Sequence, residues 1–390
     1  MVEALGHSGG LQARSARAST RVSDAIHKHA RPIVELVLFG FVPLYLGPLL
    51  IVQYLVGSYH ATPITVDGTY FPDGGFLFDL HTLWKAGHDV VTGHSPYPFV
   101  YPAPAAILMV PFGLLPFKVA VVAFSLVLFG AAFLTLRLLG VRDWRCYGAA
   151  LGSLPGTSAV TLGAFSWLLA LGAAAAWRYR DRRLVVAAAI AGVVVTKIFL
   201  WPLLIWLVAT RRIRTAATTV VISFVTVIGC WAVIGFDGLR QYPNHISHIG
   251  ALEELRSYSP FSLLRTLGLT STDARIALVA LTLAAFAAIT VAARGQDGDR
   301  RAFVLAVAAS LVLSPIVWVH YFVLIFVVIA LYRRTLSAAW LLPAAYWLLP
   351  GQDSHGSTKV ILVAYAMTAA VAVAVWFRRP AFLRASPVSQ

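Results

Sequence analysis

The chain has 390 residues, of which 59% are hydrophobic and only 12% are charged, and its formal net charge is +15. A water-soluble core of this size needs more polar surface, and many apolar runs reach the ~20 residues of a membrane-spanning helix. The composition therefore predicts a polytopic membrane protein surrounded by membrane lipids. Its basic residues form short runs at the ends of apolar segments, where the positive-inside rule places them, so the charge indicates membrane topology and not a nucleic-acid partner.

The first part of the chain predicts a tail, a span and a long outer loop. Residues 1–32 are basic and lack the features of a cleaved signal, which indicates a cytoplasmic tail. A span over 33–56 then leads to an acidic outer loop over 57–104. The short stretch 105–116 contains prolines and is expected to be interfacial or re-entrant, and the return span covers 119–136.

Three later apolar stretches have arginine-rich ends on both sides and are predicted to be hairpins with their tips on the outer side. Each is too long for one untilted helix and too short for two full spans, so the helices must be short or broken at the tip. The tips are polar and irregular in sequence, at 154–166, 196–202 and 314–321. Because non-helical backbone at membrane depth must line protein or a water-filled cavity, three such tips indicate a cavity.

The remaining segments complete the predicted topology. A span over 215–234 and another over 274–293 flank a second long outer loop, 236–272, which is polar enough to face an acceptor. The alternative for this loop is a simple solvated connection. A last hairpin, with crossings at 338–349 and 360–377, precedes a short cytoplasmic tail over 379–390. The prediction is an all-α polytopic membrane protein with a single domain over 33–378, about twelve transmembrane helices and both termini in the cytoplasm.

Asp79 is the first candidate for chemistry, because it is a carboxylate in an outer loop of a very apolar chain and is therefore a candidate general base. Lys197 lies at a hairpin tip, where an intramembrane lysine is usually paired or functional, and it is a candidate phosphate ligand or a snorkelling side chain. His320 lies beside two aromatic residues. It is a candidate donor to a phosphate or a sugar hydroxyl, or else a member of an interfacial aromatic belt.

These residues lie in motifs that resemble the signature of glycosyltransferase family 87. The matching passages are Phe78-Asp79-Leu80-His81, Gly93-His94-Ser95-Pro96-Tyr97, Tyr101-Pro102-Ala103-Pro104, Lys197, and Ser314-Pro315-Ile316-Val317-Trp318-Val319-His320-Tyr321. They follow the family's order over most of the chain. The chain departs from the family pattern at Ala164 and Ser166, where the family has Gln and Asn, and at Ile198, where proline usually follows the lysine.

The resemblance implies a GT-C-like membrane hexosyltransferase that takes sugar from a polyprenyl-phosphate donor. Asp79 would be the general base of an inverting reaction, while Lys197 and His320 would bind the departing phosphate. The further substrate-binding candidates are His81, Tyr97, Tyr101, Ser166, Trp318 and Tyr258. The acceptor would be an envelope glycolipid or polysaccharide, and the site would face the outer side of a bacterial plasma membrane. Mannose is the sugar that the resemblance favours, and arabinofuranose is the alternative within the same class.

No cofactor is expected. The sequence has no Asp-x-Asp pair beside Asp79, which predicts transfer without a metal, although Asp73 and His81 leave a metal site possible. The alternative from another class is a multi-pass lipid or sugar transporter, that is, a flippase. Such a protein should place polar residues near the bilayer midplane, whereas here the polar tips all gather on one predicted side, which favours the enzyme.

Overall fold

The computed structural model describes residues 30–60, 63–66, 69–71, 75–253, 257–348 and 358–376. Both predicted cytoplasmic tails lie almost wholly outside these ranges. Helices form nearly all the regular structure. The exception is a small antiparallel hairpin in the first outer loop, in which β1 (Ile64–Val66) pairs with β2 (Thr69–Phe71) and Ile64 lies opposite Phe71.

Four helices are long and apolar enough to cross a membrane, and they confirm the four single spans of the sequence analysis. They are α1 (Ala30–Leu55), α4 (Phe117–Leu138), α10 (Ile213–Val233) and α13 (Ser271–Ala293). Helices α1, α10 and α13 are mostly unburied within the protein. Their apolar side chains therefore face outward, as side chains in contact with lipid do.

The helices between them are shorter and are broken at the predicted tips. Helices α5 (Trp144–Gly152), α6 (Leu154–Thr161) and α7 (Ser166–Arg178) form the first hairpin region, and α6 and α7 meet at an angle of 116°. Helices α8 (Arg183–Thr196) and α9 (Pro202–Ala209) form the second. Helices α14 (Gly298–Leu313) and α15 (Val319–Tyr332) form the third.

The prediction of about twelve crossings is not confirmed. By length and composition the described residues contain four spanning helices, or five if the bent pair of α6 and α7 counts as one span. The described residues also contain five shorter apolar helices of 10–17 residues, among them α16 (Ala338–Leu348) and the first part of α17 (Thr358–Trp376). The predicted turn between these two, at 351–356, lies outside the described residues.

The outer segments form helices as well. Helix α2 (Phe78–Val91) lies in the first outer loop, and helices α11 (Tyr242–Leu252) and α12 (Pro260–Thr266) lie in the second. The stretch predicted to be interfacial or re-entrant is helix α3 (Ala103–Gly113), which is largely buried and packs against α2. The start of α2 contacts the bend between α6 and α7, and the segment before α12 contacts the break before α15.

The contact between α2 and α3 depends on two glycines. A Cβ atom at Gly87 would lie 2.4 Å from the carbonyl oxygen of Met109, and one at Gly113 would lie 2.4 Å from the carbonyl carbon of Gly87. Two side chains of α2 reinforce this contact. The Trp84 indole donates a hydrogen bond to the Leu115 carbonyl, and His88 Nδ1 lies 3.0 Å from the carbonyl oxygen of Gly113. Helix α2 is thus held at a fixed position against α3.

Ion pairs hold the opposite end of the bundle together. Asp299 accepts hydrogen bonds from both terminal nitrogens of Arg212 and from the Trp206 indole, and it also pairs with Arg180. In the loop before α5, the carboxylate of Asp143 accepts two hydrogen bonds from the guanidinium group of Arg145 in a bidentate ion pair. These hydrogen bonds lower the pKa of the Asp143 carboxyl to about 2. These arginines belong to the runs that the sequence assigned to the cytoplasmic side.

We predict that Gly113→Ala lowers the thermal unfolding temperature in detergent, because the added methyl group must push α2 away from α3. Overpacking of this kind costs about 1–3 kcal/mol. Gly130→Ala, in the middle of α4, is the matched control, since a Cβ atom there meets nothing within 4 Å. Equal unfolding temperatures for the two variants would contradict the proposed close contact.

Candidate functional site

Asp79 lies in the first turn of α2, and the bend between α6 and α7 fixes the start of that helix. Leu77, which precedes the helix, has a φ of 58°, and its N–H donates to the Thr161 carbonyl at 2.8 Å. The N–H of Leu80 donates to the Leu162 carbonyl at 3.0 Å. Free N–H groups at a helix start need such acceptors, and here the end of α6 supplies them.

The bend between α6 and α7 contains Gly163 and the predicted site residue Ser166. Gly163 has a φ of +69°, and a Cβ atom there would lie 2.4 Å from the Leu80 Cβ, so this position accepts only glycine without moving α2. Ser166 begins α7 and is 2% exposed, and its hydroxyl has no hydrogen-bond partner among the described residues. The predicted site residue therefore lies inside the bend that holds Asp79.

Lys197 lies in the break between α8 and α9, where the backbone is extended. Its ammonium nitrogen is 3.4 Å from the Tyr101 hydroxyl and lies 3.9 Å from the ring centroid of Tyr321. The side chain is half-buried. Contact of an ammonium group with aromatic faces is favourable and becomes more so as water is excluded.

His320 lies in the short helical turn that begins α15, directly after the break between α14 and α15, and it is 3% exposed. Its Nε2 is 3.9 Å from Oδ2 of Asp79, which is too long for a hydrogen bond. Neither ring nitrogen has a hydrogen-bond partner in the described part of the chain. A buried imidazole with open nitrogens normally requires a partner, so His320 is placed to contact a ligand beside Asp79.

The structure thus brings Asp79, Lys197 and His320 together from three distant parts of the sequence. We refer to these three residues with Tyr101 and Tyr321 as the polar cluster. The Asp79 side chain is only 17% exposed, and this burial raises the pKa of its carboxyl to about 6, while the charge of Lys197 acts in the opposite direction. Carboxylic acids with a pKa near neutrality are suited to proton transfer.

Tyr321 is the member of the polar cluster that sequence reasoning did not select. Its ring contacts His320 at 4.6 Å and Phe199 at 4.7 Å between centroids, in addition to the Lys197 ammonium. It follows His320 directly in the last quoted motif. The motif alone could have drawn attention to it, but its contact with Lys197 depends on the folded structure.

Tyr97 and Tyr101 have different positions. Tyr101 belongs to the polar cluster, and its ring also packs against Phe165 at the bend. Tyr97 stacks on Trp231, with ring centroids 4.9 Å apart, and its hydroxyl donates to the Tyr101 carbonyl at 3.4 Å. The peptide bond between Tyr97 and Pro98 is cis. Tyr97 therefore anchors the turn that presents Tyr101.

The other predicted substrate-binding residues lie outside the polar cluster. His81 is exposed on α2, and its ring contacts Phe117 edge-on at 5.2 Å. Trp318 is half-buried and directly precedes the short helical turn that carries His320. The N–H of Tyr258 donates to the Val317 carbonyl at 2.7 Å. A role for these three in binding substrate stays a prediction.

An apolar groove of about 550 Å³ runs between α3, α4, α7, α8 and α10. Its lining includes Leu108, Phe124, Phe165, Val193 and Thr196. Thr196 directly precedes Lys197, and the Phe165 ring contacts Tyr101, so one end of the groove reaches the polar cluster. The groove therefore joins an apolar surface to the half-buried ammonium group of Lys197.

No three His, Cys, Asp or Glu side chains come close enough to hold a metal ion within the ranges that the structure describes. Asp73, which the sequence left open as a ligand beside His81, lies outside those ranges. Metal-independent transfer stays a prediction.

Residues 99–315 match glycosyltransferase family 87, and the chain belongs to this family. It is a glycosyltransferase, and its apolar helices fit a membrane protein. The matched range includes Tyr101, Ser166 and Lys197. It excludes Asp79 and His320, which the geometry of the polar cluster brings beside Lys197.

Two curated relatives are similar to most of the chain. Both are named polyprenol-phosphate-mannose-dependent alpha-(1-2)-phosphatidylinositol pentamannoside mannosyltransferase. The protein of Mycobacterium tuberculosis is 26% identical over 311 residues, which cover 72% of this chain and 68% of the relative. The protein of Mycolicibacterium smegmatis is 27% identical over 312 residues, which cover 72% and 71%. No solved structure matches the chain.

Proposed function

We propose that this protein transfers mannose from a polyprenyl-phosphate donor to an envelope glycolipid, with inversion at the anomeric carbon. The observation that carries this proposal is the meeting of a carboxylate, an ammonium group and an imidazole in one polar cluster. These groups supply a base for the acceptor hydroxyl and cationic and hydrogen-bonding groups for a phosphate leaving group, and such a transfer needs little else.

Asp79 acts as the general base in this proposal. Its carboxylate takes the proton of the acceptor hydroxyl, the hydroxyl oxygen forms a bond to the anomeric carbon, and the bond from that carbon to the phosphate oxygen breaks. The electron pair of the broken bond stays with the polyprenyl phosphate, which leaves as a dianion. Attack from the face opposite the leaving phosphate accounts for inversion, and a second catalytic acid is not needed because phosphate leaves without protonation.

Lys197 and His320 receive the phosphate in this proposal. The ammonium group of Lys197 already lies between two tyrosines, so little reorganisation is needed when negative charge develops on the leaving oxygen. His320 has two buried ring nitrogens without hydrogen-bond partners in the described residues. A phosphate oxygen can accept a hydrogen bond from the protonated nitrogen of this ring.

The apolar groove suits the hydrocarbon chain of the donor. Contact with apolar side chains lowers the free energy of a bound polyprenyl chain. The groove offers such contacts along a path that ends beside Lys197. The phosphate at the head of the same lipid then reaches the ammonium group. One lipid can therefore occupy the groove with its tail and the polar cluster with its head.

The sugar, acceptor and orientation complete the proposal. The two relatives named for polyprenol-phosphate-mannose and a phosphatidylinositol mannoside support mannose and a glycolipid acceptor. Arabinofuranose and a polysaccharide are the alternatives within the same class. The arginine runs at the helix ends opposite the polar cluster support termini in the cytoplasm and a site on the outer side of the plasma membrane.

We predict that Asp79→Asn lowers transfer of radiolabelled mannose from polyprenyl-phosphate-mannose by about 100-fold or more, the usual effect of losing a general base. Binding of the donor should persist, because the lysine remains. The assay uses purified protein in the presence of a chelator, with the unsubstituted protein as reference. Transfer retained by Asp79→Asn would contradict the assigned base, and absence of transfer by the unsubstituted protein would contradict the donor.

We predict that Lys197→Met lowers kcat by about 100-fold, because the departing phosphate loses its positive partner within the site. Lys85→Met is the matched control. Lys85 lies on α2, its side chain is 62% exposed and it pairs with Asp89 on the surface, so its removal should change transfer less than twofold. Equal losses in the two variants would show that positive charge in general, and not this ammonium group, supports transfer.

The third prediction concerns pH. Because the base must be ionised and the pKa of Asp79 is about 6, kcat/KM should reach its plateau near neutrality and should fall about tenfold per pH unit below pH 6. The phosphodiester of the donor stays ionised over this range, so the fall cannot come from the donor. A rate measured in buffers from pH 5 to 8 tests this, and a flat profile would contradict the role of Asp79.

A further inference from the structure

The second outer loop is attached at its beginning to the turn that carries Tyr101. Gly238 has a φ of +71°, and a Cβ atom there would lie 2.6 Å from the Tyr97 ring, so the loop backbone rests directly on that ring. The Tyr242 ring packs edge-on against Tyr97 at 5.8 Å between centroids. Its hydroxyl donates to the Val100 carbonyl at 3.4 Å. Helix α11 therefore starts beside one side of the polar cluster.

The same loop is attached at its end to the strand-like segment before His320. The N–H of Val317 donates to the Ser257 hydroxyl at 2.8 Å, and the N–H of Tyr258 donates to the Val317 carbonyl at 2.7 Å. The Tyr258 carbonyl accepts a hydrogen bond from the Tyr365 hydroxyl of α17. Helix α11 thus starts beside the Tyr97–Tyr101 turn, and Ser257 and Tyr258, five and six residues after its last residue, hold the segment that precedes His320 and Tyr321.

One face of α11 is turned toward the protein. Positions 242, 245, 249 and 253 are half-buried, whereas positions 244, 247, 248 and 251 are exposed. This spacing is that of a single helical face. The inward face therefore carries Tyr242 at its start and Glu253 at its end, with His245 and Ile249 between them.

Glu253 is a second carboxylate whose charge acts on the polar cluster. It caps the end of α11, and its Oε2 atom is inaccessible to solvent. Its charge and that of Asp79 both act on Tyr321, whose ring contacts the Lys197 ammonium. The sequence analysis placed Glu253 in the loop expected to face an acceptor, but it selected Tyr258 from that loop as the binding residue.

We propose that Glu253 accepts a hydrogen bond from a hydroxyl group of the bound sugar, so that α11 supplies sugar recognition. This inference rests on the proposed function. Lys197 takes the phosphate and Asp79 takes the acceptor hydroxyl, and the sugar to be transferred lies between them. Sugar hydroxyls are neutral donors, and a carboxylate is the side chain that accepts from them most strongly, since it has only acceptor oxygens.

Loss of a hydrogen bond to the sugar should weaken binding of the donor lipid, whereas loss of the Glu253 charge alone should strengthen it. A carboxylate near an anionic lipid phosphate repels it, so replacing Glu253 by glutamine should tighten binding of any polyprenyl phosphate if Glu253 makes no contact with the ligand. A purely structural carboxylate that holds the loop should affect lipids with and without sugar equally. Only a hydrogen bond to the sugar weakens binding of the sugar-bearing lipid alone.

The experiment measures dissociation constants of the full-length purified protein for polyprenyl-phosphate-mannose and for polyprenyl phosphate without sugar. We expect Glu253→Gln to raise the dissociation constant of the mannose lipid about tenfold, as for a lost hydrogen bond to a charged group. The dissociation constant of the bare lipid should stay the same or fall. Asp237→Asn is the matched control, because this carboxylate is exposed in the same loop, and it should change neither constant.

A donor that carries mannose with one hydroxyl removed then identifies the contact. For the deoxy sugar that lacks the bonded hydroxyl, Glu253→Gln should no longer weaken binding, and its dissociation constant should stay the same as that of the unsubstituted protein or fall, as for the bare lipid. Equal changes for the mannose lipid and the bare lipid, or no weakening of either, would overturn the inference. Failure of the unsubstituted protein to bind both lipids would contradict the proposed donor and the inference with it, and this result is recognised before any variant is compared.

Discussion

The arrangement of the outer side depends on accommodating a lysine ammonium group among apolar helices. An unpaired charge in such surroundings is strongly unfavourable, because it loses its hydration. Lys197 is compensated by the faces of Tyr101 and Tyr321 and by the charge of Asp79. These compensating groups come from three separate segments. The position of the lysine therefore constrains the turn after α2, the start of α2 and the break before α15 at the same time.

The broken helices follow from this constraint. A continuous helix would carry its side chains past the polar cluster. A break allows the extended backbone to present Lys197 inward, and the short helical turn after another break presents His320. Each break frees backbone groups that must be satisfied inside the protein. At the break before α15, the N–H and carbonyl of Val317 bond to Ser257 and Tyr258 of the second outer loop. The outer loop therefore completes the hydrogen bonding of the break, which explains why it lies over the polar cluster.

The sequence predicted the long spans and four of the five residues of the polar cluster, all except Tyr321, because these leave local signals. Hydropathy marks α4, α10 and α13, and polar side chains in apolar runs mark Lys197 and His320. The Gly87–Gly113 contact left no such signal, since each glycine is ordinary in its own helix and matters only where two helices cross. Tyr321 and Glu253 were likewise unmarked, because their positions depend on packing between segments far apart in sequence. The number of membrane crossings is equally hard to predict from sequence, because short and broken helices do not have the length of a single span.

The departures at Ala164 and Ser166 can be understood from the way Asp79 is held. The start of α2 binds to the bend through backbone atoms, namely the carbonyls of Thr161 and Leu162, and through the close approach of Gly163 to Leu80. None of these contacts uses the side chains at 164 or 166. Replacement of an amide side chain by the smaller alanine or serine therefore changes the shape and hydrogen bonding of the bend, but it leaves the carboxylate where it is. The backbone of the bend therefore fixes the position of the base, and the side chains at 164 and 166 can change without moving it.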